Sequence, residues 1–404
     1  MIIIPEGAAD GPLEELGGLT PLEAAETVHL DRLSERGRLG VAVLTPEGLP
    51  CTDDVTLMSL LGYDPQRFGC GAGVLEAAGA GERIGDGRWA LRVSLVTVAE
   101  GAMLDERAGG VSDAEGARLL EDLQDALAAE LGGEGGRFRL LATGGHRGLL
   151  IDEAGRTLDG LVTHGPAVIL GRPIRKHLPA GECSEVFREI VDLSARVLAD
   201  HEVNAARREL GELPATHLWP WGAGRGLALP SFASQYEGLR GVMVCGEGVP
   251  AGMARMIGWE TRRIEGSGYE ERAGRQAVEA LKEFDVVCVH ASGADTAAHE
   301  GDVKGKVDAL AAVDAEIVGP VVAGLQGEER WRVLIAPSHG TKTETRRHDA
   351  APVPLMMAGE LIEPVVTARY AERSVVESDL HIDVGSELME YLLFGSGIGR
   401  MRNV

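Results

Sequence analysis

The sequence predicts an α/β protein, a mostly parallel sheet covered by helices with a smaller α+β segment inserted into it. Three observations carry that class. Residues 2–4, 242–245, 285–290 and 333–336 are short runs rich in β-branched side chains, apolar throughout except for Asp285 and His290 at the ends of the third, as in strands buried on both faces. Patterns with helical spacing separate these runs. Between them, Trp89, Leu91, Val93 and Leu95 alternate with small or polar residues, as in a strand with one face open.

The elements follow in order. Residues 2–4 run into Pro5, Glu6 and Gly7, a buried strand ending in a loop. From Pro21, the residues Leu22, Ala25, His29, Leu30 and Leu33 fall on or near one helical face that closes at Gly37, and residues 39–44 form the next strand. Strand, helix, strand is the start of a helix-covered parallel sheet. The pattern changes near residue 80. After the alternating strand, Ser112 and Glu115 make a capping-box pair ahead of a helix carrying Leu119, Leu120, Leu123 and Leu127, which Gly132 and Gly133 end. Strands follow over 138–142 and 148–152. The block 78–178 is expected to be an inserted α+β domain, leaving 1–77 and 179–404 as a discontinuous core. The second half continues with a long helix over 184–209 and the buried strands already noted. In open α/β sheets ligands bind beyond the carboxyl ends of the strands. The loops after the last two strands hold most of the distinctive polar residues.

Of the 404 residues 44% are hydrophobic and 25% charged, enough for a sizeable core and incompatible with disorder as the main state. The formal charge of −24 repels nucleic-acid backbones and anionic lipid, so no nucleic acid and no membrane surface is expected as a partner. An anionic ligand would need a local cluster of Arg, Lys or metal. The 5 cysteines, odd in number and without a CxxC, argue against a disulfide framework or a thiolate zinc site. The N-terminal apolar run is short and has no basic leader, and no apolar stretch is long enough to span a membrane, so the chain reads as cytoplasmic. Its oligomeric state is not legible in the sequence.

Five segments carry chemistry. In DTAAH, Asp295 and His299 are four apart, so on a helix or tight turn they share a face and can bind one metal ion. Taken alone, the pair reads more readily as a helix N-cap and an unrelated surface His. PSHG (337–340) puts His339 directly after another buried strand, and RRHDAAPVP (346–354) puts His348 before a rigid strand start. Three histidines and an Asp on strand-end loops reinforce one another as a divalent-metal site. Imidazole suits zinc and manganese, and carboxylate suits manganese and magnesium. TDDV (52–55) with Glu6 offers a second, carboxylate-rich site, although Asp53 and Asp54 equally suit the cap of the following helix. HLWPWGAGRG (217–226) reads as a buried aromatic corner, with glycines that could present backbone N–H groups to an anion.

Several longer stretches resemble the archaeal-type cofactor-independent phosphoglycerate mutases, of the alkaline phosphatase superfamily. They are PEGAADGPLEELGGLTPLEAAETVHLDRL at the start, SLLGYDP (59–65), LVTVAEGAMLDERAGGVSDAEG (95–116), LPATHLWPWGAGRG (213–226), GDVKGKVDALAAVD (301–314) after the Asp295–His299 pair, and HDAAPVP. The resemblance spans nearly the whole chain. It implies an alkaline-phosphatase-like α/β core with an inserted smaller domain, and a small phosphorylated metabolite as partner. It also implies one or two divalent ions, manganese foremost, with zinc or magnesium as alternatives. The reaction it implies is the glycolytic isomerisation of phosphoglycerate, with the phosphoryl group passing between the 2- and 3-hydroxyls of glycerate through a phosphoserine.

Carried over residue by residue, the resemblance implies that Asp295, His299 and His348 hold the first ion. The second set departs: Glu6 stands for an Asp, Asp53 for the nucleophilic Ser and Ser338 for an Asp, while His339 is kept. Arg92 and Arg147 fall on substrate-binding arginines, expected to face the metals across the interdomain cleft. Ser94 replaces an Asn, His146-Arg147-Gly148 replaces Tyr-Arg-His, and 246–253 lacks an expected basic residue. Glu6, Asp53, Ser338 and His339 still amount to two carboxylates, one Ser and one His, with Ser and Asp exchanged between 53 and 338. Asp53 is then a ligand of a second ion, and Asp53, Thr52 and Ser338 are candidate phosphoryl acceptors. Three functions fit: a phosphoglycerate mutase or close phosphotransferase, a phosphatase or phosphotransferase on another phosphomonoester, or a non-catalytic relative that binds metal or metabolite.

Overall fold

The structure, a computed structural model, describes residues 1–131, 133, 137–155, 158–328, 330–365, 369–376 and 378–395. Its strands in chain order are β1 (Ile2–Pro5), β2 (Gly37–Ala42), β3 (Trp89–Ala99), β4 (Ala102–Asp105), β5 (Phe138–Gly144), β6 (Arg147–Asp152) and β7 (His217–Arg225). They continue with β8 (Gly241–Cys245), β9 (Glu260–Arg263), β10 (Val286–Ala291), β11 (Arg332–Ile335), β12 (Gly340–Lys342), β13 (Arg347–Asp349), β14 (Val353–Gly359) and β15 (His381–Ile382). The chain divides into two compact units, Met1–Gly69 with Leu229–Val404, and Cys70–Ala228.

The first unit holds a sheet in the order β15-β2-β14-β11-β1-β10-β8-β9. It is mostly parallel, as expected, with β14 running antiparallel to both its neighbours. Ile2, Ile3 and Ile4 are fully buried, which is why a continuous apolar run suits this strand. Ile3 packs in one core with Leu39, Val244, Val289 and Ile335, and with Leu30, Leu33, Ala277 and Ile317 from the covering helices. Because β11, β1 and β10 are parallel neighbours, the loops that follow them emerge together at one edge of the sheet.

The second unit is an antiparallel sheet in which β3 lies between β6 and β7, β5 pairs with β6, and β4 pairs with the end of β3. The helix Asp113–Glu130 has the expected capping box: the Ser112 hydroxyl accepts from Glu115 N–H at 3.3 Å, and the Glu115 carboxylate accepts from Ser112 N–H at 2.7 Å. Its leucines 119, 120, 123 and 127 join Phe138, Leu150, Phe187 and Ile190 in one core.

Several boundaries differ from expectation for physical reasons. The second unit is wider than 78–178. Strand β7 pairs with β3 from Trp89↔Arg225 to Val96↔His217, and the helix Ser184–Ala199 puts Phe187, Ile190 and Leu193 into the same core. The helix expected over 184–209 is two, because His201 caps a second helix, Glu202–Glu209, with its ring accepting from Val203 N–H at 3.1 Å. The pattern from Pro21 also breaks, into Pro21–Ala24 and Val28–Ser34. Asp314 stitches the second piece by accepting from the backbone N–H groups of His29 and Leu30 at 3.0 and 2.7 Å. The strand expected at 39–44 is β2, Gly37–Ala42. All of HLWPWGAGRG but its last glycine is strand β7, with Trp219 fully buried. Gly132 lies outside the described residues, and the helix before it ends at Glu130. Among the described residues no helix is long and apolar enough to cross a membrane.

Candidate metal centre

The side chains singled out in the first unit sit on short elements at or just beyond the carboxyl ends of its strands. Glu6 is the first residue after β1, and its N–H donates to Ala291 O at 2.9 Å. Asp295 and His299 lie one turn apart on the helix Gly293–Glu300 that follows β10. Ser338 and His339 follow β11. The hairpin of β12 and β13 sets Thr341 directly opposite His348. Asp53 is the first residue of the helix Asp53–Leu60, where the positive end of the helix dipole favours a carboxylate. Thr52 is the N-cap, but its side chain makes no cap bond, and its carbonyl accepts from the Thr56 N–H and hydroxyl at 3.0 and 3.1 Å.

Two groups of three form. Asp295, His299 and His348 offer ligand atoms all within 4.8 Å of one another, and so do Asp53, His339 and His348. Asp295 Oδ2 is 3.5 Å from His299 Nε2, and Asp295 Oδ1 is 3.8 Å from His348 Nε2. Asp53 Oδ1 is 3.4 Å from His339 Nε2 and 3.7 Å from His348 Nδ1. The rings of His339 and His348 stack at 3.9 Å.

The orientation of two imidazoles is set from outside the groups. His299 Nδ1 donates to Arg346 O at 3.0 Å and His348 Nδ1 donates to Cys51 O at 3.2 Å. A carbonyl only accepts, so each Nδ1 carries hydrogen and each Nε2 presents its lone pair inward. The two Nε2 atoms then face each other at 3.0 Å. Two facing lone pairs beside a carboxylate are the chemistry of a cation site. His339 Nε2 is buried without a hydrogen-bond partner and faces two carboxylates. Nitrogen and oxygen donors of this kind fit manganese or zinc.

The electrostatics point the same way. Burial raises the Asp295 carboxyl, and the negative Glu6 adds to that. Burial would lower His339, but the Asp53 and Glu6 carboxylates beside its Nε2 outweigh it and raise the ring well above its ordinary value. Burial, with the positive His339 beside it, lowers His348. Burial would raise Glu6, but the charge and hydrogen bond of His290 outweigh it and hold Glu6 at about 2. Carboxylates crowded into a buried place in this way favour any positive charge that can sit among them.

The structure does not gather every residue the sequence nominates. Glu6 stands outside both groups: its Oε1 is 3.0 Å from His290 Nε2 and 3.7 Å from His339 Nε2. Ser338 is fully buried, its hydroxyl has no partner, and it joins neither group. Arg92 and Arg147 belong to the second unit, where Arg147 is exposed and pairs across the sheet with Ser94, two residues along β3 from Arg92. Arg92 pairs with Glu76 at 2.7 Å and lies over the Trp221 ring, whose N–H donates to Ser94 Oγ at 3.0 Å. Sequence reasoning missed His290, Thr341 and Gly7. His290 had a signal, a polar residue closing an otherwise apolar strand run. Thr341 and Gly7 had none.

Fold and site together define a class: an α/β protein with two carboxylate–imidazole groups that could hold metal ions at the carboxyl edge of its sheet. The family model of 2,3-bisphosphoglycerate-independent phosphoglycerate mutase matches residues 34–204. A probable 2,3-bisphosphoglycerate-independent phosphoglycerate mutase of Geobacter sulfurreducens is 34% identical, over 97% of this chain and 99% of its own length. A 2,3-bisphosphoglycerate-independent phosphoglycerate mutase of Methanothrix thermoacetophila is also 34% identical, over 98% and 99%. Among solved structures, a protein from Pyrococcus horikoshii aligns with a TM-score of 0.77 at 27% identity, covering 97% of this chain and 95% of that one. The cofactor-independent phosphoglycerate mutase of Thermoplasma acidophilum aligns with a TM-score of 0.59 at 25% identity, covering 97% and 98%. The chain belongs to the family of 2,3-bisphosphoglycerate-independent phosphoglycerate mutases.

Proposed function

We propose that this chain catalyses metal-dependent phosphoryl transfer on phosphoglycerate, interconverting the 2- and 3-phospho isomers. Asp295, His299 and His348 hold one divalent ion. Asp53 and His339 hold a second, with Glu6 beside them. The observation that carries this reading is the convergence of Asp53, Asp295, His299, His339 and His348 into two groups at the edge of one sheet. Manganese or zinc suits such a donor set better than magnesium, which prefers oxygen alone.

A bound divalent ion supplies Lewis-acid stabilisation of the charge on the transferring phosphoryl group. The chain's own residues do the rest. Asp53 is the phosphoryl acceptor: its carboxylate oxygen forms a new O–P bond as the ester O–P bond of the substrate breaks, and the freed glycerate oxygen takes a proton from solvent. In the return step the other glycerate hydroxyl loses its proton and attacks phosphorus, and the bond to Asp53 breaks to restore the carboxylate. Arg92, braced by Glu76 and Trp221, and Arg147 bind the anionic groups of the substrate. The Thr52 and Ser338 hydroxyls are the alternative acceptors.

A second reading rests on Asp53 itself. An acyl phosphate is more readily cleaved by water than a phosphoserine, which favours phosphatase action on phosphomonoesters. One experiment separates these readings. Purified protein loaded with manganese or zinc is incubated with 3-phosphoglycerate, followed by phosphorus NMR, and trapped with borohydride, which reduces an aspartyl phosphate to homoserine. The 2-phospho isomer with homoserine at position 53 supports the mutase. Inorganic phosphate with the same trap supports the phosphatase. Phosphate on Thr52 or Ser338 moves the acceptor, and neither product nor label leaves a binding protein.

A further inference from the structure

We propose that Thr341 is a positioning residue that couples the two cation groups through its single hydroxyl proton. That proton sets the free oxygen of Asp295 and, at the same time, the tautomer of His339. The inference rests on the reading of both groups as metal sites.

Thr341 is fully buried in β12, directly opposite His348 in the hairpin. Its backbone is pinned from behind: Lys306 Nζ donates to its carbonyl at 2.6 Å and to Asp10 Oδ2 at 2.9 Å, and the side chains of Lys306 and Asp10 are both buried. From this fixed point Thr341 Oγ1 lies 2.5 Å from Asp295 Oδ1 and 3.2 Å from His339 Nδ1.

A hydroxyl has one proton to give and lone pairs to accept with. An ionised carboxylate only accepts, so the proton goes to Asp295, at a length proper to an O–H···O⁻ bond. Thr341 Oγ1 then meets His339 with a lone pair, and His339 Nδ1 must carry hydrogen. The Gly340 carbonyl, 3.3 Å from the same nitrogen, also only accepts and agrees. Nε2 is therefore the nitrogen that offers its lone pair to a cation, which takes the place of the proton the ring otherwise holds there between the two carboxylates. This nitrogen is buried without a hydrogen-bond partner, 3.4 Å from Asp53 Oδ1 and 3.7 Å from Glu6 Oε1. His299 and His348 obtain the same tautomer from carbonyls of distant segments. His339 obtains it from a side chain that also holds a member of the other group. Thr341 keeps one lone pair of Asp295 Oδ1 occupied, while Asp295 Oδ2 faces His299.

The test uses zinc alone with the full chain and two variants. Thr341→Val keeps the shape and removes the hydroxyl, and Thr341→Ser keeps the hydroxyl and removes the methyl. Calorimetric titration is expected to show two zinc ions on the parent protein. Both should be weakened about tenfold to a hundredfold in Thr341→Val and left near parent affinity in Thr341→Ser. Nitrogen NMR of the zinc-loaded parent and of Thr341→Ser should show His339 with hydrogen on Nδ1 and zinc on Nε2, a pattern lost in Thr341→Val. Unchanged affinities in Thr341→Val, a loss confined to one ion, equal losses in both variants, or zinc on His339 Nδ1 in the parent would each overturn the coupling. A parent protein that binds no zinc would overturn the metal reading and this inference together, whereas the other outcomes leave the metal reading standing.

Discussion

Glu6 Oε1 sits 3.0 Å from His290 Nε2, joining the residue that follows β1 to the penultimate residue of its parallel neighbour β10. Both side chains are almost wholly buried, at 8% and 5% exposure. Glu6 stands where the family resemblance implies Asp, and the extra methylene gives it the reach to meet His290. Removing one partner strands the other as a buried charge. Glu6→Ala should therefore destabilise the metal-free protein by about 3–5 kcal/mol. Glu6→Gln, whose amide still offers a hydrogen bond, should cost about 1–3 kcal/mol. Urea unfolding after chelation, read by amide exchange along β1 and β10, measures both. Equal stability of all three proteins would remove the pair from the list of contacts that hold the sheet edge.

The backbone of Gly7 lies directly against Asp295. Its φ of +69° is a left-handed conformation, and a Cβ built there would lie 2.6 Å from Asp295 Cα and 2.8 Å from Asp295 Oδ1. Gly7→Ala must push Asp295 and the start of its helix away, besides carrying backbone strain of about 1–3 kcal/mol. Zinc affinity at the group of Asp295, His299 and His348 should fall at least tenfold while the circular dichroism spectrum stays that of the parent. Parent-like affinity in Gly7→Ala would mean that Asp295 is not held by this contact.

The pair Asp10–Lys306 sets a test by pH. Burial alone would raise the Asp10 carboxyl, but the Lys306 charge and the donors of Thr343 and Lys306 outweigh it and hold Asp10 below its ordinary 3.8. A depressed acid stabilises the fold above its unfolded value and loses that contribution as pH falls through its folded one. The stability gap between the parent and Asp10→Asn should be constant near neutral pH and shrink progressively below pH 3.8. Lys306→Met, which leaves Asp10 buried and unpaired, should cost about 3–5 kcal/mol at neutral pH. A gap between the parent and Asp10→Asn that widens in acid would contradict the sign.

What the sequence made legible follows from how local each signal is. The strands 2–4, 285–290 and 333–336 are apolar runs, broken only by Asp285 and His290 at the ends of the second, and runs that short and β-branched fit a doubly covered sheet. The capping box at Ser112 and Glu115 is written within four residues and survives intact. The break at 200–201 was not legible, because the second helix is capped by a His ring, an uncommon cap, and that ring is anchored by Asp122 at 2.8 Å from 79 positions away. The width of the second unit was hidden for a similar reason: β7 joins β3 across more than a hundred residues, and pairing between distant strands leaves no local mark. In the site, Asp295, His299, His339 and His348 were readable as ligand types beyond strand ends. Thr341 was not, since a threonine becomes a positioning residue only through the distance the hairpin gives it.

The last prediction separates the two cation groups through their shared member. By distance His348 belongs to both, since ligand atoms of Asp295 and His299 and of Asp53 and His339 all lie within 4.8 Å of it. By chemistry it belongs to one. Its Nδ1 gives its hydrogen to Cys51 O at 3.2 Å, so the Nδ1 that faces Asp53 at 3.7 Å has no lone pair to offer. Its Nε2 faces Asp295 Oδ1 at 3.8 Å and His299 Nε2 at 3.0 Å. His348→Ala and His299→Ala should therefore act alike: each removes the ion of the first group and leaves one ion bound. His339→Ala should remove the ion of the second group, where Asp53 and Glu6 remain as carboxylates. Metal counting after dialysis against zinc, with the parent at two ions per chain, should give one ion for each of the three variants, and the pair His299→Ala with His339→Ala should give none. Loss of both ions in His348→Ala alone would show that its ring serves both groups, which requires Nδ1 to give up its proton and the bond to Cys51 to break. Retention of both ions in His299→Ala would end the assignment of the first group.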